Sequence, residues 1–441
     1  MLIVNGTLAT FGAKPRLIQD GALRFTDTLI SDVSTTADLR ARYPHEEELD
    51  AAGHLVMPGL ICAHTHFYGL FARGMSLGGE APADFAQILD KLWWRLDKAL
   101  GLDDVRYSAL VCLLDAIRNG TTTLFDHHAS PRVIPHSLDA IAEAVTQAGL
   151  RAILCYEVSD RDGPEAAQAG LEENARFIAQ VKGKEGLLSA TFGLHASLTL
   201  SDSTLARAVE IARSLDVGFH IHVAEGQADV RDSMQKCGLR VVERLAERGI
   251  LGPKTIAAHC VHVQDYELDL LKETGTRVVH NPRSNMNNAV GVARVPRMLR
   301  DAIEVGLGND GFSNNMFSEM KTAYVLHKLA AEDPRVLSAD QVLTMAMRNN
   351  AQTARLFFRR PLGELTPGAY ADIVFLDYIP PTPLTLENLP WHVIFGVDGA
   401  HVNTTIVAGK VLMHNRELRT LDEEAICAKA RELAARLWLR L

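Results

Sequence analysis

Eight short apolar runs, each followed by residues of helical period, constrain this chain more than any other feature. They are Leu55–Ala63, Thr121–Phe125, Arg151–Tyr156, Leu188–Leu194, Val217–Val223, Thr255–Ala258, Thr276–Val279 and Val305–Gly308. Continuous apolar runs of this length suit strands buried on both faces, and helical crossovers between them make such strands parallel. Residues 203–215, Ser-Thr-Leu-Ala-Arg-Ala-Val-Glu-Ile-Ala-Arg-Ser-Leu, predict one of those helices. Eight βα units are what a closed TIM-like (β/α)8 barrel requires. The expected class is therefore α/β.

The two ends read differently. From residue 2 to residue 57 short β segments are punctuated by Gly and Asp, and the same texture returns in Ala371–Asp377 and Val402–Leu412. These ends are expected to pair into one small β-sandwich domain. The division is then 1–57 for the N-terminal part of the sandwich, 58–363 for the barrel, and 364–441 for the rest of the sandwich with an amphipathic helix from Glu423 to Leu441. A length of 441 residues accommodates a barrel and such an appendage.

Composition narrows the function. The chain is 47% hydrophobic and 22% charged, and no apolar run approaches the roughly 18 residues of a membrane span. A formal charge of −9 with no basic cluster argues against a nucleic-acid groove. Six cysteines without paired spacing, and a start of Met-Leu-Ile-Val-Asn-Gly, point to a reducing cytoplasm. The expected partner is a small molecule.

Chemistry gathers where the runs end. The first ends in His64-Thr-His66, and His-x-His in a strand aims two imidazoles at one place. The fourth runs into His195, the fifth into His220-Ile-His222-Val-Ala-Glu225, and the sixth into His259-Cys-Val-His262. The seventh leads into His280-Asn-Pro-Arg283-Ser-Asn, and the eighth into Gly308-Asn-Asp310-Gly. Any one of these histidines is more often a hydrogen-bonded core or loop residue than a ligand. Their recurrence at one end of successive strands, where barrel active sites lie, favours a metal-ligating cluster.

Six pieces carry a resemblance: Pro-Gly-Leu-Ile-Cys-Ala-His-Thr-His, Gly-Thr-Thr-Thr-Leu-Phe-Asp, His-Ile-His-Val-Ala-Glu, Ala-Ala-His-Cys-Val-His, His-Asn-Pro-Arg-Ser-Asn-Met-Asn and Gly-Asn-Asp-Gly. With them the chain resembles, over nearly its whole length, the mononuclear aminohydrolase branch of the amidohydrolase superfamily, which includes guanine, cytosine, adenosine-type and triazine deaminases. Leu92–Asp97, Asp126–Pro131 and Arg283–Asn288 are most similar to its SsnA-type aminohydrolases. The resemblance implies His64, His66, His222 and Asp310 as ligands of one divalent metal. Zinc is the first choice, with iron or manganese also compatible with nitrogen and oxygen ligands. It implies Glu225 as proton shuttle, His259 as the residue that orients water or stabilises developing negative charge, and Asp310 as acceptor of the water's proton.

His195 and Arg283 stand where relatives contact substrate, Arg283 equally suiting a salt bridge at the rim. His220 reads as a hydrogen-bonded residue one layer deeper. At most one of His127 and His128 can face inward. No lysine stands in Ala190–Ser197, where dinuclear relatives carry their bridging group, so one metal is expected.

The reaction this implies is hydrolytic deamination of an aminated N-heterocycle, purine-like or related, by a homo-oligomeric enzyme. Two alternatives stay open: the same activated water with chloride or a ring amide as leaving group, and a non-catalytic barrel serving as a binding module. Residues 69–84, rich in Gly and Pro, are expected to cover the pocket.

Overall fold

The computed structural model describes residues 1–76 and 78–441. Parallel strands gather in two sheets. The first contains β1 (Leu60–Thr65), β2 (Thr121–His128), β3 (Arg151–Tyr156) and a short strand, Leu188–Ala190; the second contains β4 (Phe192–Ala196), β5 (Phe219–Val223), β6 (Ile256–His259), β7 (Arg277–His280) and β8 (Val305–Leu307). Nearly every residue of these strands is buried, which is why the sequence shows unbroken apolar runs rather than alternation.

Two of the eight runs prove to be double. Leu55–Ala63 breaks at Gly59, where a Cβ would lie 2.2 Å from the Thr122 side chain; Leu55–Pro58 belongs to another sheet and only Leu60 onward is β1. Leu188–Leu194 breaks at Thr191, between the two sheets. The helix read at 203–215 spans Asp202–Leu215, with the Ser201 hydroxyl accepting the Thr204 N–H, and the terminal helix spans Glu423–Trp438.

The sheets meet at both edges. At one, His64 O accepts N–H bonds from Asn309 and Asp310 at 3.0 and 3.1 Å, joining β8 to β1. At the other, His195 N donates to Val158 O at 2.9 Å and Thr191 N to Leu154 O at 3.2 Å.

A buried asparagine reinforces each junction. Asn350, from the helix Asn350–Ala354, donates to Ile61 O and Leu307 O at 2.7 and 2.8 Å and accepts from Leu307 N at 2.9 Å. Asn174, from Pro164–Val181, accepts from Tyr156 N and Gly193 N and donates to Tyr156 O at 2.8 Å. Behind the site, Ile61, Ala63, Phe125, Ile153, Ile256 and Val279 from both sheets pack into one apolar cluster.

The chain ends pair as expected, in a single nine-stranded mixed sheet. Ile373–Leu376 runs antiparallel to Leu55–Pro58, which lies parallel to Leu2–Ala9. Among the described residues no helix is long and apolar enough to cross a membrane.

Candidate active site

Strict alternation would not deliver the first two histidines. Ile61 and Ala63 face the inner apolar cluster, so His64 would point outward if the strand continued regularly. The pairing of β1 with β2 shifts between Cys62 and Thr65, and both His64 and His66 turn in. On β5 the period holds: Phe219, Ile221 and Val223 pack outward, while His220 and His222 face in. Three other groups arrive on left-handed backbone, Glu225 after Ala224 (φ 47°), His259 (φ 72°) and Asp310 (φ 63°). Such conformations in non-glycine residues cluster at functional sites, where surrounding structure holds them.

His64, His66, His222 and Asp310 each offer one ligand atom, all within 4.8 Å of one another. Asp310 Oδ1 lies 3.1 Å from Nε2 of both His64 and His66, and His66 Nε2 lies 3.2 Å from His222 Nε2. The tautomers follow from the outer ring atoms. His66 Nδ1–H donates to the His127 carbonyl and His222 Nδ1–H to the His195 carbonyl, so in the neutral ring each of the two facing Nε2 atoms carries a lone pair. Burial holds His222 well below the usual imidazole value and lowers His64 to about 4, so these two rings are neutral, whereas the Asp310 carboxylate, against burial, raises His66 to about 9. Three imidazole nitrogens and a carboxylate converging on one buried gap fit a divalent cation, whose charge would take the place of a proton on His66. His220 Nε2 lies 2.8 Å from His64 Nδ1, which makes His220 the group that orients His64.

Glu225 and His259 adjoin this cluster. Glu225 Oε2 is 3.5 Å from His259 Nε2, and Asn288 Nδ2 donates to Glu225 Oε1 at 3.4 Å. Burial pushes Glu225 up to about 7; His259 opposes the rise and the Asp310 charge adds to it. Asp310 moves the other way: against its burial, the His64 and His66 imidazoles hold it well below the carboxylate range. Asn285 Oδ1 accepts from His259 Nδ1 at 2.8 Å, and the Ser284 hydroxyl donates to Asp310 Oδ2. Asp229 takes the N–H groups of Ala224 and Leu198, both at 2.9 Å, and so pins the turn that carries Glu225.

A cavity opens over this centre. His195 lines it, with Nδ1 2.6 Å from Thr199 Oγ1. Arg283 is not among the residues that do: its guanidinium pairs with Glu319 at 2.6 Å and Ser313 O at 2.7 Å, the salt-bridge arrangement at the rim. His127 reaches inward to the group around Glu157, whereas His128 turns to Ser130 at 2.9 Å, so one of the pair faces the site.

Residues 69–84 contribute none of the lining residues among those described, and Leu77 lies outside the described residues. The lining comes instead from Phe85, Leu89, Trp93, Trp94 and Asp97, with Glu157 and Arg161 from the loop after β3. Sequence reasoning missed Glu157 and Arg161. Their one signal was position, directly after a strand that ends without a histidine.

The chain belongs to the amidohydrolase family, which it matches over residues 55–412. It is 35% identical over 427 residues to a 5'-deoxyadenosine deaminase of Methanothermobacter thermautotrophicus, covering 95% of each chain. It is 33% identical over 443 residues to a 5-methylthioadenosine/S-adenosylhomocysteine deaminase of Syntrophomonas wolfei, covering 99% of each. Among solved structures it is similar to an adenosine deaminase from Xanthomonas campestris with bound zinc, at TM-score 0.88 and 27% identity, over 99% of this chain and 98% of that one.

Proposed function

We propose that this chain is a mononuclear metal-dependent aminohydrolase that deaminates a purine-like N-heterocycle, exchanging a ring C–NH2 for a ring carbonyl and releasing ammonia. The convergence of three imidazoles and one carboxylate, with Glu225 and His259 beside them, carries this reading. In it His64, His66, His222 and Asp310 hold one zinc ion. When bound, the cation lowers the pKa of water toward about 7.

The remaining work falls to side chains. Asp310 takes the water's proton. Glu225, protonated near neutrality, gives a proton to the ring nitrogen beside the carbon under attack and later to the departing amine, assistance worth about 10²–10⁴-fold. His259, its Nδ1 tied to Asn285, steadies the developing negative charge. The names of the curated relatives support an aminated purine as substrate.

The architecture is read in the same way. We take the two parallel sheets, joined at both edges around a shared apolar cluster, as one (β/α)8 barrel over 58–363. Segments 1–57 and 364–441 form a sandwich, supported by the bonds Ile30 N to Ala369 O and Ala371 N to Thr28 O, which fold the sheet back on itself. Exposed Val325, Leu329, Trp391 and Phe395 on neighbouring helices support self-association, and six free cysteines, four of them buried, support a cytoplasmic setting.

The test is ammonia release by the zinc-loaded protein across aminated purines, pterins, pyrimidines and triazines. Release from one ring group is the expected result; silence across the panel, with one zinc per chain, would overturn the reading.

A further inference from the structure

One wall of the cavity, around Glu157, presents hydrogen-bonding atoms that have no partner. Glu157 is 4% exposed, and its Oε2 has no partner. Its Oε1 lies 3.5 Å from His195 Nε2, and both residues line the cavity. With the Thr199 hydroxyl donating to the Ala196 carbonyl, it accepts from His195 Nδ1–H, and in that tautomer His195 Nε2 carries a lone pair. His127 is fixed likewise: Nε2–H donates to the His220 carbonyl at 3.0 Å, leaving an unpartnered Nδ1 lone pair 3.7 Å from Glu157 Oε2. The nearby Arg161 guanidinium pairs with Asp97, while its Nε, 3.1 Å from Asp162, makes no hydrogen bond.

Burial pushes the Glu157 carboxyl up to about 7, with the His66 and Arg161 charges opposing the rise; in its ionised form Glu157 accepts, as does His195 Nε2, so a ligand edge seated between them must bring N–H or O–H groups. Position says which part of the ligand does so. Glu157, His195 and His222 offer atoms within 4.8 Å of one another, so the edge touches the ring under attack and not a distant substituent. Glu225 belongs to a separate group with His259 and Asp310, and its proton requires a ring nitrogen that carries a lone pair.

We propose that Glu157, together with His195, reads an N–H of the ring, so that the favoured substrate is a cyclic guanidine. In such a ring the amino-bearing carbon lies between an N–H, taken by Glu157, and an unprotonated nitrogen, served by Glu225. Guanine, pterin and isocytosine have this pattern. The adenine ring does not: its amino-bearing carbon has a ring carbon on one side, and its ring nitrogens would set lone pairs against Glu157 and His195. The proposal rests on the aminohydrolase reading and narrows it.

The experiment compares kcat/KM for ammonia release from guanine and from 5'-deoxyadenosine by the zinc-loaded wild type and Glu157→Gln, with calorimetric binding of xanthine, which keeps the N–H, run in parallel. The Gln amide donates to His195 Nε2 and occupies the edge at unchanged size. Wild type should prefer guanine and bind xanthine. The variant should lower the guanine to 5'-deoxyadenosine ratio, and xanthine affinity, by about 100-fold with zinc content unchanged.

A preference for 5'-deoxyadenosine, an unchanged ratio, or wild type that does not bind xanthine overturns the proposal. Equal loss on both substrates with loss of zinc also overturns it, leaving Glu157 as a support for His66 and His127. If no ring releases ammonia, the aminohydrolase reading fails, and xanthine affinity alone decides the role of Glu157.

Discussion

At the scale of single residues, the site depends on groups that touch its histidines from behind. Asn285 fixes the ring of His259 through one 2.8 Å bond. Asn285→Ala is expected to lower kcat by about 10–100-fold with zinc content intact; an unchanged kcat would deny His259 its role. Burial pushes the Asp126 carboxyl up to about 7, although it accepts the Phe67 N–H at 2.8 Å.

A carboxyl that binds its proton more tightly folded than unfolded contributes stability that is complete below its unfolded value, about 4, and lost as pH rises through about 7. Asp126→Asn keeps the acceptor and should flatten the fall in Tm between pH 4 and 8; an unaltered slope would contradict this. The histidines and Asp310 that the structure brings together were legible in the sequence because such residues recur at strand ends. The backbone that aims them was not: the register shift before Thr65 and the left-handed turns at His259 and Asp310 follow from tertiary packing.

At the scale of elements, Asn174 and Asn350 explain how two sheets act as one unit. Each amide reaches from a helix to the backbone of both strands at a junction. Asn350→Ala leaves the carbonyls of Ile61 and Leu307 and the Leu307 N–H without that partner, and should cost on the order of 2–4 kcal/mol. Thermal unfolding measures it: for a chain of 441 residues this loss lowers Tm by about 2–4 °C, and a Tm within about 0.5 °C of wild type would contradict it.

Asp310 follows β8, so the same variant should also loosen metal binding. The eight runs announced these strands through their apolar character, yet where a run holds two strands, as at Gly59 and Thr191, hydropathy is continuous and only packing reveals the break. Both asparagines lie in helices whose pattern gives no hint of their partners.

At the scale of the molecule, the terminal sheet and the parallel strands are tied through Arg151 and Asp372, both buried and paired at 2.6 Å, with the Arg151 guanidinium 3.7 Å from the Tyr370 ring. Removing one member of a buried pair is strongly destabilising, so Asp372→Ala is expected to cost on the order of 3–5 kcal/mol in unfolding experiments. A loss below 1 kcal/mol would show that the terminal sheet is held otherwise. The pairing of the chain ends was legible in their shared β texture; the ion pair was not, because 221 residues separate its members.

The account as a whole stands on one cation held by His64, His66, His222 and Asp310, with Glu225 moving the proton. Its most direct test strips the protein of metal and titrates zinc back, following bound zinc and ammonia release together in wild type and Glu225→Gln. The prediction is one zinc per chain in both proteins, with ammonia release rising in step in wild type and absent in the variant. Ammonia release by the stripped protein, or full activity in Glu225→Gln, would contradict it.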